Sequence, residues 1–165
     1  MKRASLLIAV VGIALLLTSC YANKKHTSEA FYSNKCEYLN TELDGSMTLR
    51  AYGQGRNRID ARHQARKNAV YEVIFEGVYV PNNTAMSLPL VYEANAHQKY
   101  EDFFNDFFTD GGDYTKFVNK KDKKDDTNEK SWGGAQTKIS TTVTVERSKL
   151  KAYLKQQGII KEKNR

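Results

Sequence analysis

A run of small side chains at every fourth position limits how the middle of this chain can fold. The run consists of Ala61, Ala65, Ala69, Val73 and Gly77. Residues four apart lie on the same face of a helix. Small side chains on that face let the helix backbone approach a neighbouring sheet closely. We therefore predict a helix that begins near Asn57 and packs tightly on a sheet.

The residues before this helix predict a strand and a turn. From Ser46 to Gly53, small or apolar residues alternate with Thr, Arg and Tyr, which is the period of a half-buried strand. Asn57 suits the N-cap, and Asp60 suits the positive end of the helix dipole. Gly53-Gln54-Gly55 is either a plain strand-to-helix turn or an anion-binding turn at a helix N-terminus.

The C-terminal part repeats the order of strand and helix. Gln136 to Val145 alternates β-branched and polar residues, which predicts a strand. Ser148 is the expected cap of a final helix that buries Leu150 and Leu154 and ends near Gly158. The two units together predict an α+β fold with a small, mainly antiparallel sheet and helices packed on one face.

The segment between these units carries an aromatic helix. Ala94 to Phe108 reads as a helix, and its phenylalanines are Phe103, Phe104, Phe107 and Phe108. Phe103 and Phe104 point about 100° apart on a straight helix. Either some aromatic surface remains for a partner or for the bilayer interface, or the helix is buried on a wide face. Further along, Tyr114 to Val118 is predicted as a strand and 120–129 as a charged loop.

The N-terminus has the pattern of an export signal. Lys2 and Arg3 precede an apolar run from Leu6 to Leu17. That run is shorter than the roughly 20 residues that span a bilayer. We predict that residues 1–19 form a signal peptide. Its removal would take two positive charges from the formal net charge of +7.

Leu17-Thr18-Ser19-Cys20 resembles the lipobox of bacterial lipoproteins. The resemblance implies a diacylglycerol and an N-acyl chain on Cys20, which would hold the protein on a membrane without a spanning helix. By the same resemblance, Tyr21 in place of aspartate after the cysteine permits sorting to the outer membrane, and we expect the periplasmic face. Residues 20–35 are predicted to be a polar tether and 36–165 a single domain. Cys36 would then have no partner for an internal disulfide, and we expect a small buried side chain there.

A second resemblance covers the first strand and helix. Leu49 to Gly55, followed by Ala61, Ala65, Asn68 and Ala69, is similar to the N-terminal domain of flagellar assembly protein T and to lipoprotein-20-type outer-membrane lipoproteins. It spans about 46–77, with support from 136–157. The resemblance implies a non-catalytic component of a secretion or motility complex.

The sequence shows no arrangement typical of catalysis. His26, His63 and His97 are far apart and lack metal-ligand spacing. Asp110 and Asp113 flank two glycines but do not reproduce a calcium loop. We therefore predict no enzyme activity, no bound metal and no cofactor other than the lipid.

Arg58, Arg62 and Arg66 form a basic stripe at i, i+4 spacing. Export would keep this stripe away from nucleic acid, so the expected partners are anionic lipid, a glycan or an acidic protein surface. A solvated helix face is the alternative interpretation.

These observations lead to two hypotheses of function. The first is an outer-membrane-anchored periplasmic lipoprotein that acts as an accessory or scaffold subunit of an envelope complex. Its contacts would come from the aromatic helix or the basic stripe. The second is a binding module for an anionic envelope ligand such as lipopolysaccharide or peptidoglycan fragments.

Overall fold

The fold is organised around a four-stranded antiparallel sheet. A computed structural model describes residues 36–119, 125–130 and 136–161. The strands are β1 (Glu37–Thr41), β2 (Met47–Gly55), β3 (Asp125–Lys130) and β4 (Thr137–Val145). Their order across the sheet is β1-β2-β4-β3, and every neighbouring pair is antiparallel. The predicted α+β fold, with helices on one face of a small antiparallel sheet, is confirmed.

The helices differ in length. They are α1 (Arg58–Tyr71), α2 (Thr84–Ser87), α3 (Ala96–Lys99), α4 (Glu101–Phe107) and α5 (Arg147–Gln156). A π-helical turn, Glu72–Glu76, continues α1, and a 3₁₀ turn, Asp113–Phe117, follows α4. The helix predicted for 94–108 is therefore divided into α3 and α4.

The small-residue stripe brings α1 very close to β2. Ala61, Ala65 and Ala69 are fully buried. A Cβ atom placed on Gly53 would lie 2.1 Å from the carbonyl oxygen of Ala61. The close approach of α1 to β2 therefore requires both glycine at position 53 and alanine on the facing side of the helix. Gly77 does not continue the helical stripe, because its φ of +82° ends the π-helical turn.

Two asparagines fix the ends of this contact. The side chain of Asn57 accepts hydrogen bonds from the backbone N–H groups of Ile59 and Asp60, which confirms the predicted N-cap. Because that cap occupies N–H groups of the first turn, the anion-binding interpretation does not fit. The predicted turn at Gly53-Gln54-Gly55 is also wrong, because these residues are the end of β2 and pair with β4, and the chain turns at Arg56 and Asn57. Asn68 is buried, and its Nδ2 donates to the carbonyl oxygen of Tyr52 at 2.9 Å. β1 pairs only with Met47–Arg50, so Tyr52 lies on β2 beyond the end of β1. The Asn68 side chain supplies a hydrogen-bond donor to the Tyr52 carbonyl oxygen there.

Three further local predictions are wrong. Residues 113–117 form a 3₁₀ turn instead of a strand. Part of the predicted charged loop is strand β3 (Asp125–Lys130), whose backbone pairs with β4. Ser148 lies inside the first turn of α5, while Glu146 occupies the N-cap. Gly158, with φ +72°, follows the end of α5 as predicted.

Candidate functional site

The aromatic helix is packed into the core. Phe104 and Phe107 are 1% and 2% exposed, and Phe103 and Phe108 are half-buried against the core. The expectation that these four phenylalanines offer a partner-binding surface is therefore corrected for Phe104 and Phe107. The wide buried face is the interpretation that the structure supports.

Two groups of aromatic residues pack side by side on the buried face of α4. On one side, the rings of Phe104 and Phe75 lie 4.8 Å apart, and Phe108 lies 6.2 Å from Tyr71. On the other side, Phe107 lies 6.1 Å from Tyr153. Together the two groups make the buried face of the helix wide enough for side chains that diverge by about 100°. The sequence did not reveal this arrangement because the second group comes from distant parts of the chain.

The basic stripe lies on α1, but it is not uniformly positive. Arg58 is exposed, whereas Arg62 and Arg66 are half-buried. Beside them, Lys67 Nζ forms an ion pair with Asp110 Oδ1 at 2.8 Å. The hydrogen bond from Lys67 holds the pKa of Asp110 below its usual range. A carboxylate from the turn after α4 thus offsets part of the positive charge on this helix face.

Cys36 and Glu72 meet where β1 begins. Glu72 is 7% exposed, and its carboxylate accepts a hydrogen bond from the backbone N–H of Cys36. Burial raises the pKa of the Cys36 thiol, and the neighbouring Glu72 carboxylate raises it further. A thiol kept protonated in this way is a poor nucleophile. Cys36 is half-buried and free of a disulfide, close to the buried position that we predicted for it.

A polar group occupies the sheet face opposite to the helices. Alternation along β2 turns Leu49, Ala51 and Gly53 towards α1, so Arg50 and Tyr52 lie on the outer face. Glu37 on β1 joins them: its carboxylate accepts a hydrogen bond from the Tyr52 hydroxyl at 2.7 Å. The same carboxylate forms an ion pair with Arg50 Nη1 at 3.1 Å. We call these three residues the outer-face triad.

The triad holds its side chains in a fixed arrangement while leaving them accessible. Tyr52 is 40% exposed, and the Arg50 side chain is 38% exposed. The hydrogen bond from Tyr52, followed by the effects of Arg50, lowers the pKa of Glu37. The same hydrogen bond raises the pKa of Tyr52. At neutral pH the triad therefore presents a carboxylate, a guanidinium and a neutral phenol.

Hydroxyl groups extend this surface along the sheet. Thr48 and Thr144 face each other across β2 and β4, and their Oγ1 atoms lie 3.0 Å apart. Thr142, opposite Arg50, is half-buried. The accessible surface ends near Ser140, which lies opposite Tyr52 and is buried. The accessible part of the outer face is thus the part next to β1.

Several predicted features cannot be placed. The signal peptide 1–19, Cys20, the tether 20–35 and His26 lie outside the described residues. Among the residues that are described, no helix is long and apolar enough to cross a membrane. In the same part of the chain, no three His, Cys, Asp or Glu side chains are grouped so that they could hold a metal ion. His63 lies on α1 and His97 on α3, where His97 stacks on Phe104.

Comparison with known protein families, with curated protein sequences and with solved structures finds no match for this chain.

Proposed function

We propose that this protein is a lipid-anchored accessory or scaffold subunit of a bacterial envelope complex, held on the periplasmic face of the outer membrane. The anchor is Cys20, and the domain that follows presents a rigid surface to a protein partner. The sequence of the N-terminus supports the anchor. The outer-face triad is the observation that supports the contact with a partner.

The triad has the composition of a protein-binding surface. Tyr and Arg, together with Trp, are enriched at the energetic centre of protein interfaces. Here both are braced by one carboxylate, so little side-chain freedom is lost when a partner binds. The surrounding threonines offer hydrogen bonds across a sheet face that no described helix covers. This surface takes the role that the sequence had suggested for the aromatic helix.

The test is a pull-down from detergent-solubilised envelopes of the source bacterium with tagged full-length protein. Arg50→Ala combined with Tyr52→Ala should reduce partner recovery by about 30-fold, since loss of an interface centre costs about 2 kcal/mol. Arg56→Ala is the matched control, because it removes an exposed arginine outside both the triad and the basic stripe and should leave recovery unchanged. Proteins recovered equally with wild type and with the double variant would contradict this contact.

The same experiment distinguishes the protein-binding function from the second hypothesis. In that hypothesis, Arg58, Arg62 and Arg66 bind an anionic envelope ligand. That hypothesis predicts no protein partner, together with lipopolysaccharide binding that falls steeply as salt is raised. The ion pair between Lys67 and Asp110 weakens the field of this stripe. We therefore place the protein-binding function first.

A further inference from the structure

One segment of the domain lacks charged residues altogether. Gly77–Tyr92 is sixteen residues long and contains no Asp, Glu, Lys or Arg, although 27% of the whole chain is charged. It also contains both prolines of the sequence, Pro81 and Pro89. A long uncharged loop in such a chain requires an explanation, because exposed loops are usually polar and charged.

The segment is fixed to the core but turns large side chains outward. Val78, Val80, Leu90 and Val91 are buried. By contrast, Tyr79 is 78% exposed, Tyr92 is 69% exposed and Leu88 is 42% exposed. The buried valines and leucine fix the backbone, so the exposed side chains occupy defined positions.

Hydrogen bonds that involve side chains hold separate parts of this segment beside each other. The N–H of Val80 donates to Ser87 Oγ at 2.8 Å, which places the residue after Tyr79 beside the residue before Leu88. Arg147 Nη2 donates to the carbonyl oxygen of Leu88 at 2.8 Å. Arg147 also interacts electrostatically with Tyr92. We call Tyr79, Leu88 and Tyr92 the uncharged surface.

The uncharged surface adjoins the point where the predicted tether enters the domain. Tyr79 and Pro81 line a shallow cavity of about 300 Å³ together with Cys36, Glu37 and Tyr38. Cys36 follows directly after the predicted tether, residues 20–35. In the sequence, Cys36 lies sixteen residues after Cys20, the predicted lipidation site. A lipid on Cys20 would therefore tie the chain to a membrane at the side of the domain where Tyr79 lies.

We propose that the uncharged surface rests on the lipid bilayer, in the headgroup region beside the anchor. Tyrosine suits this position because its ring is apolar and its hydroxyl is polar. The segment itself brings no Asp, Glu, Lys or Arg to this contact, and the nearby Arg147 guanidinium donates to the Leu88 carbonyl oxygen. The proposal rests on the lipid anchor of the proposed function, and it adds a fixed orientation of the domain on the membrane.

The test measures contact with lipid in vesicles. Protein with Cys36→Ala is made from the full sequence in a bacterial host, purified from its membranes and reconstituted in phosphatidylethanolamine–phosphatidylglycerol vesicles. Leu88→Cys carries an environment-sensitive dye. Lipids spin-labelled near the headgroup should lower its fluorescence by about twofold, since the dye would lie at their depth. Ile59→Cys is the matched control, because Ile59 is an exposed apolar residue on α1 and should be unaffected. Tyr79→Ser with Tyr92→Ser should abolish quenching at position 88.

Each other outcome overturns the proposal in a recognisable way. In one such outcome, the protein floats with the vesicles while the dye is quenched equally at positions 59 and 88, or at neither. That result overturns the lipid contact alone. A dye at position 88 that is shielded only in native envelopes assigns the surface to a protein partner instead. Protein that does not float with the vesicles overturns the lipid anchor and this proposal with it.

Discussion

Gly53→Ala is expected to destabilise the domain by about 3 kcal/mol or more, a large part of the 5–15 kcal/mol that stabilises a typical domain. The added Cβ would lie 2.1 Å from the Ala61 carbonyl oxygen and 2.4 Å from the Ala65 backbone nitrogen. Both atoms belong to a helix backbone, so no side chain can rotate to make room. Either α1 moves away from β2, or the strand is distorted.

Gly111→Ala is the control for this experiment. Its Cβ would meet nothing within 4 Å, but its φ of +78° is unfavourable for alanine. That strain costs about 1–2 kcal/mol. Urea unfolding followed by circular dichroism should therefore give the lowest midpoint for Gly53→Ala. A midpoint for Gly53→Ala equal to or above that for Gly111→Ala would show that α1 does not depend on the close approach.

Phe104→Ser should unfold or severely destabilise the protein, with a loss of about 3–5 kcal/mol from the buried ring alone. Phe104 is 1% exposed and its ring lies 4.8 Å from that of Phe75. The new hydroxyl would also be buried among aromatic residues, which adds a desolvation cost. Any loss of partner binding by this variant would follow from unfolding.

Tyr79→Ser provides the comparison, because Tyr79 is an aromatic residue that is 78% exposed. Its effect on the free energy of unfolding should be within about 0.5 kcal/mol. Both variants are measured by thermal and urea unfolding. A folded Phe104→Ser protein with wild-type stability and weakened complex formation would return the aromatic helix to the role of a contact surface.

The elements with strong local signals could be predicted from the sequence. Asn57 and the alanine stripe define α1, and the β-branched alternation before Val145 defines β4. The antiparallel sheet with helices on one face follows from these two units. Each signal is contained within a dozen neighbouring residues, which is the range over which periodicity and capping operate.

Elements that depend on distant partners were missed. The sequence EYLNT of β1 has no clear alternation, and it forms a strand because the turn after Thr41 returns the chain along β2. β3 forms within a charged run because β4 offers it an edge. Burial of Phe104 and Phe107 depends on Phe75, Phe117 and Tyr153, which come from other elements.

The candidate site was missed for the same reason. Arg50 and Tyr52 were read only as the polar side of a strand. The triad forms because Glu37 is brought from β1, thirteen and fifteen residues away along the chain. The alternation of β2 does indicate that Arg50 and Tyr52 share a face, which is the signal that could have drawn attention to them.

The central proposal, a lipid-anchored protein, is tested most directly by the intact mass of the protein purified from membranes of a bacterial host. We expect a chain that begins at Cys20, lacks residues 1–19 and carries the added mass of a diacylglycerol and an N-acyl chain. The Cys20→Ala variant should keep its full length and carry no lipid. A wild-type protein that keeps residues 1–19, or one that begins elsewhere with no lipid attached, would contradict the proposal.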